Sequence, residues 1–194
     1  MGILKATRAK AATLLLLLLL PMCPSAGATR RAARPPRVAP EKVSVRVRGL
    51  QSIVVTGRGR THKLDLTKHI DAARIEDASA LFLTRRGEFA YLLLGVCGMS
   101  KEKSDDRQCG AGIECNVVWL KLDGAWRVRD AKSERYESCW QPITSEEGPK
   151  VEGRRMTVVV DDLREDLRRE VSYDADSPEA GLAVRQSPIP KTTP

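Results

Sequence analysis

The residues of this chain whose types and spacing could carry chemistry are its cysteines, two histidines, scattered carboxylates and a few large aromatics. Cys97, Cys109, Cys115 and Cys139 include no C-x-x-C pair and have no histidine nearby, which argues against a zinc site built from closely spaced thiolates and imidazoles. In an exported chain an even set of cysteines predicts disulfides instead. His62 and His69 sit in no nucleophile motif, so surface or packing roles are expected for both. Ser100-Lys101-Glu102-Lys103 matches S-x-x-K, the signature of penicillin-recognising enzymes. That chemistry needs Ser and Lys one turn apart on a buried helix, whereas these lie in a hydrophilic stretch with no K-T-G strand after it.

Two further acidic arrangements deserve weighing. Asp174, Asp176 and Glu179 could offer oxygens to calcium, but the run lacks the glycine at position six and the glutamate at position twelve of a standard loop, so turn formation by Asp and Pro is favoured. Glu114 and Glu137 are an example of a pair that could serve a small hydrolase as acid and base, if the fold made them converge. Trp119, Trp126, Tyr136 and Trp140, with Tyr91, could form a sugar-stacking surface; aromatics at this density more often fill a core, and that reading is preferred. No catalytic residue, metal or cofactor is assigned.

The elements that would position these groups read mostly as strands. Val43–Arg48, Ser52–Thr56 and His62–Leu66 alternate or are rich in β-branched residues, and Gly49 and Gly57-Arg58-Gly59-Arg60 punctuate them, which suggests a β-meander. Lys68–Asp77 reads as a short helix or a polar connection. Ala80–Thr84 and Glu88–Val96 follow, the second with the unbroken apolar character of a strand buried on both faces. Asn116–Leu122 and Ala125–Arg129 flank Asp123-Gly124, the strongest hairpin signal present. Arg135–Trp140 and Arg155–Val160 complete the confident runs; Asp161–Arg169 is either a short amphipathic helix or a turn leading into a strand up to Tyr173. The expected fold is mainly β: a single antiparallel β-sandwich or barrel-like domain with one or two short helices, braced by disulfides.

Charge and composition set the boundaries. The chain has 194 residues and a formal net charge of +8. Residues 1–28 carry Lys5, Arg8 and Lys10, an apolar run with seven consecutive leucines, and Ala26-Gly27-Ala28, the three parts of a cleavable signal peptide. The apolar run is about half the ~20 residues needed to span a bilayer, so no transmembrane segment is expected after cleavage. Residues 29–42 form a basic, proline-containing flexible arm of net +4; 43–173 form the β-rich domain; 174–194 form a proline-rich tail, mostly loop. From Val43 onward the net charge is only +1, so no nucleic-acid-binding face is implied and nucleic acid is disfavoured as a partner.

Strand placement also suggests how the cysteines pair. If Glu88–Val96 and Asn116–Leu122 are antiparallel neighbours, Cys97 ends one and Cys115 begins the other, so they close the polar loop between them and leave Cys109 for Cys139.

The run from Tyr91 to Trp140, with Cys109-Gly110-Ala111-Gly112, Val118-Trp119-Leu120-Lys121-Leu122-Asp123 and Glu137-Ser138-Cys139, resembles a set of small exported bacterial proteins of unknown function. Tyr173-Asp174 followed by Pro178-Glu179 is similar to the same set. The resemblance covers about half of the mature chain. It implies export and disulfides and brings no activity, substrate or catalytic residue. The expectation is a secreted or periplasmic protein, noncatalytic, binding an envelope protein or polysaccharide through the loop Gly98–Glu114 and nearby aromatics; the alternative is a carboxylate-dependent hydrolase of an envelope polymer.

Overall fold

The structure, a computed structural model, describes residues 41–101 and 112–190. The signal peptide, most of the basic arm, Cys109 and the last four residues lie outside the described residues. The chain divides into units Met1–Pro35 and Pro36–Pro194, and the fold described here is that of the second.

Three antiparallel sheets make up this fold. The first joins β1 (Ser44–Val47), β2 (Ser52–Gly57) and β3 (Arg60–Asp65) in that order. The second joins β4 (Ala72–Arg86), β5 (Phe89–Ser100), β6 (Ile113–Leu122) and β7 (Val128–Ser138), again in sequence order. The third contains β8 (Ile143–Thr144), β9 (Lys150–Glu152), β10 (Arg155–Asp162), β11 (Leu167–Asp174) and β12 (Ala183–Pro188), ordered β12-β11-β10-β8 with β9 also on β10. The arrangement is sandwich-like and mainly β, as expected, and no barrel closes.

Alternation along β5 and β6 explains why the second sheet lies in the middle. Leu92, Leu94, Val118 and Leu120 point to one face and pack with Ile53, Val55 and Leu64 of the first sheet. Leu93, Val117 and Trp119 point to the other and pack with Val158, Val160, Val171 and Tyr173 of the third. Both faces of these strands are therefore buried, which is what an uninterrupted apolar run demands. Each such Leu or Val stabilises by roughly 1.5–3 kcal/mol when fully removed from water.

Trp126 fastens the β6–β7 loop to the first sheet. It stacks flat on His62 at 4.2 Å between ring centroids, with the Arg85 guanidinium 5.7 Å from its ring. Burial, and then Arg60 and Arg85, hold the His62 imidazole below its ordinary pKa. The loop is longer than the Asp-Gly signal implies, because Leu122 pairs with Val128 and Ala125 and Trp126 lie in the turn. Asp123 organises it by accepting the N–H groups of Ala125 and Arg127. The end of Ala125–Arg129 and most of Arg135–Trp140 thus belong to one strand, β7, rather than two.

Lys68–Asp77 is no helix. After a turn at 67–69 its second half begins β4, whose buried residues Ala72, Ile75 and Ala78 recur every third position. Register shifts between Ala72 and Arg74 and between Ile75 and Asp77 each insert a residue, and these bulges stretch the period of two into a spacing that imitates a helix. Gly98 lies opposite the bulged stretch, where a Cβ would come 2.2 Å from the carbonyl oxygen of Arg74. The outer edge of β4 is occupied: Ile75 N–H donates to Leu50 O at 2.6 Å, Gln51 Nε2 to Ala72 O at 2.5 Å, and Glu41 N–H to Leu83 O at 3.1 Å.

Asp161–Arg169 takes the turn-and-strand form rather than the helical one. Asp162 Oδ1 accepts N–H groups from Arg164 and Glu165, and Leu167 then starts β11. Of the expected short helices, the described residues contain only a 3-10 turn, Pro178–Ala180. The segment after residue 173 is more ordered than a tail, since β12 pairs with β11 from Leu167 to Ser172. All six β12 residues are exposed, so no apolar pattern announces this strand.

Candidate functional site

The Cys97–Cys115 disulfide is formed, between residues directly opposite in the β5–β6 register, as their positions at the strand ends require. Cys139 is also disulfide-bonded. Its expected partner, Cys109, lies outside the described residues.

Beside the bridge runs a chain of polar contacts. Glu114, only 1% exposed, accepts the Ser138 hydroxyl at 3.0 Å on Oε1, while Oε2 lies 3.2 Å from Arg135 Nε without hydrogen-bond alignment. The Ser138 oxygen in turn accepts the N–H groups of Trp140 and Gln141. Arg135 continues outward to Asp71 at 2.9 Å, and Lys101 reaches the other oxygen of Asp71 at 3.3 Å. Burial raises the Glu114 carboxyl above the ordinary range, against the opposing pull of Ser138 and Arg135. Burial also pushes Asp71 upward, but hydrogen bonds from Lys101 and Arg135 outweigh it and hold Asp71 low.

This chain is a brace. A general acid must face substrate, whereas Glu114 is sealed, with one oxygen on Ser138 and the other beside Arg135. Glu114 pairs with Ser138 and Cys115 with Glu137, so strand alternation turns Glu114 and Glu137 to opposite faces of the sheet. Ser100 ends β5, a strand rather than a helix, and Lys103 of the S-x-x-K match lies outside the described residues. At the calcium candidate, Asp174, Asp176 and Glu179 lie beside Arg155, Arg154 and Arg86 respectively, cations that fill the place a metal ion would need.

The aromatics divide along the lines of the core reading. Trp119 is 1% exposed, and its indole N–H donates to Pro178 O at 3.0 Å. Trp126 and Tyr136 are buried, Trp140 is half-buried, and Tyr91 lies 6.1 Å from Trp119 within the core. They do not form the exposed sugar-stacking surface considered as the alternative, because the inner positions of β6 and β7 and the fastening of the β6–β7 loop consume them.

Sequence reading missed the outer face of the first sheet. Val45, Val47, Ile53, Val55 and Leu64 turn inward, so Ser44 and Arg46 of β1, Val54 and Thr56 of β2, and Thr61 and Lys63 of β3 turn outward. Pairing aligns them in rows, Arg46 with Val54 and Lys63, and Ser44 with Thr56 and Thr61. A groove of about 420 Å³ runs over this face, lined by the polar residues Ser44, Arg46, Arg48, Thr56 and Thr61 and the apolar Val47 and Val54. Arg46 and Arg48 have no acidic partner among the described residues, and Lys63 has only the exposed Asp65, whose carboxyl it helps to hold low. The signal was available in the alternation Ser44-Val45-Arg46-Val47-Arg48, which puts every cation of that run on one side. The net charge of +1 concealed it by averaging over the domain.

Comparison of the chain with protein-family models, with curated proteins and with solved structures finds no match.

Proposed function

We propose that this protein is a noncatalytic binding module that works outside the cytoplasm and recognises an anionic component of the cell envelope. The observation that carries the reading is the outward face of β1–β3, where Arg46 and Arg48 form no ion pair and Lys63 has only the exposed Asp65 near it, while most other arginines among the described residues are paired. Unneutralised cations on a rigid sheet repel one another and cost the compact state some stability, a cost that a partner of opposite charge relieves. The disulfide supports a home in an oxidising compartment. No helix of the described residues is long and apolar enough to cross a membrane.

The hydrolase alternative loses the pair it named, because Glu114 is sealed and Glu137 lies on the other face. The test is retention of the oxidised full chain on an anionic matrix against a neutral one across a salt series, with assay of any released polymer fragments. Salt-sensitive retention without fragment release is expected. Cleavage that is abolished in Glu114→Gln would overturn the reading.

A further inference from the structure

Resting on that reading, we infer that the groove over β1–β3 docks an extended acidic polysaccharide, whose anionic groups meet Arg46, Arg48 and Lys63 while its hydroxyls meet Ser44, Thr56 and Thr61. Three features of the face select this partner. First, its cations are spaced like a linear charged chain: outward residues two apart on a strand lie ~7 Å from each other, and neighbouring strands are ~4.8 Å apart. Two of the three cations are guanidiniums, whose planar forks match carboxylate or sulfate oxygens in pairs.

Second, the other end of the groove is a row of hydroxyls. Thr56 Oγ1 and Thr61 Oγ1 lie 3.2 Å apart and either can donate, so each retains capacity toward a sugar hydroxyl or ring oxygen. Third, the face lacks what the competing polyanions require. Its apolar lining is limited to Val54 and the partly buried Val47, too little for a bilayer to bury, and it carries no aromatic ring for a nucleobase to stack on. Anionic charge with hydroxyl-rich edges, laid in a shallow trough, describes a uronate or sulfated glycan.

The experiment measures affinity of the oxidised full chain for polygalacturonate, dextran sulfate, neutral dextran and phosphatidylglycerol vesicles. Variants are the double reversal Arg46→Glu/Lys63→Glu, the milder Arg46→Gln/Lys63→Gln, and the control Arg164→Glu/Arg185→Glu, which changes net charge equally on the third sheet. Binding to one or both acidic polymers is expected, to be about tenfold weaker after the β1–β3 reversal, less weakened by the Gln pair, and within about twofold of wild type in the control. Uronate against sulfate preference then identifies which anion is read. Equal weakening by reversal and control overturns the groove as the site but leaves anion recognition standing. Binding to vesicles and not to polymers overturns the glycan as occupant. No binding to any anionic probe overturns both this inference and the proposed function, and the Gln pair guards against a reversal that merely unfolds the sheet.

Discussion

The central sheet wears two covers, and they handle arginine in opposite ways. Residues 43–70 of the first cover hold Arg46, Arg48, Arg58, Arg60, Lys63 and Lys68 against Asp65, a net of +5. Residues 143–188 of the third sheet hold seven Lys and Arg against eleven Asp and Glu, a net of −4. In the acidic cover most arginines are matched: Arg168 grips Asp161 through two bonds of 2.7 Å, Arg154 lies 2.5 Å from Asp176, and Arg169 lies 3.6 Å from Glu134 of the middle sheet. In the basic cover only Arg58 has such a partner, Glu41. A paired arginine is part of a structure's own stitching. An unpaired row on a flat sheet leaves its charge to the solvent or, on the proposed reading, to a partner.

The contrast can be broken at the two tryptophans that anchor the covers. Trp119→Ala should cost about 4–5 kcal/mol in urea unfolding, since it empties the packing against the acidic cover and orphans the Pro178 carbonyl. Trp126→Ala, at the rim of the basic cover, should cost about 3 kcal/mol. The reverse order would mean that the basic cover is the better anchored. A next smaller effect tests what the covers share. Opening the bridge by Cys97→Ser/Cys115→Ser should cost about 3 kcal/mol and lower hydrogen-exchange protection in both covers together, because the bond lies in the sheet between them.

Backbone geometry gives the third handle. Trp126 has φ +61°, in the left-handed region where a side chain costs about 1–2 kcal/mol and glycine almost nothing. Trp126→Gly should therefore unfold about 1 kcal/mol less easily than Trp126→Ala, a difference that a ring held only by packing would not show. The smallest effect separates the covers by acid. The Arg168 hydrogen bonds hold Asp161 below its ordinary pKa, so the native state binds fewer protons there than the unfolded chain. That contribution is present above the ordinary aspartate range and is lost as pH falls through the lowered value. Amides of β10 and β11 should lose protection on acidification before those of β1–β3, whose exposed arginines have no acid partner to lose. Simultaneous loss in both covers would remove the electrostatic distinction. Glu114 acts with the opposite sign: its raised carboxyl favours the folded state at low pH, and this is lost as pH climbs through the raised value.

What the residues revealed in advance follows from range. β5, β6 and the Cys97–Cys115 bridge were legible because an apolar run and the cysteines at its ends are local signals. Of β4 only Ala80–Thr84 was, since the bulges before it depend on how β5 and the β1–β2 turn meet it, and they replaced alternation with a three-residue spacing. β12 was hidden because exposed residues leave only backbone pairing to define it. The Glu114–Arg135–Asp71 brace spans distant positions that nothing local relates. The cationic face was written plainly in the alternation of β1, but a whole-domain charge sum erased it.

The irregularities of β4 have one more effect. As the outermost strand on its side of the middle sheet, fifteen residues long, it is the kind of border onto which a stray polypeptide can add itself and start a fibre. Its kinks, and the Glu41, Leu50 and Gln51 groups already bonded along it, leave no straight ladder for a foreign chain to climb. The feature that made this strand hard to recognise is also its protection against self-association.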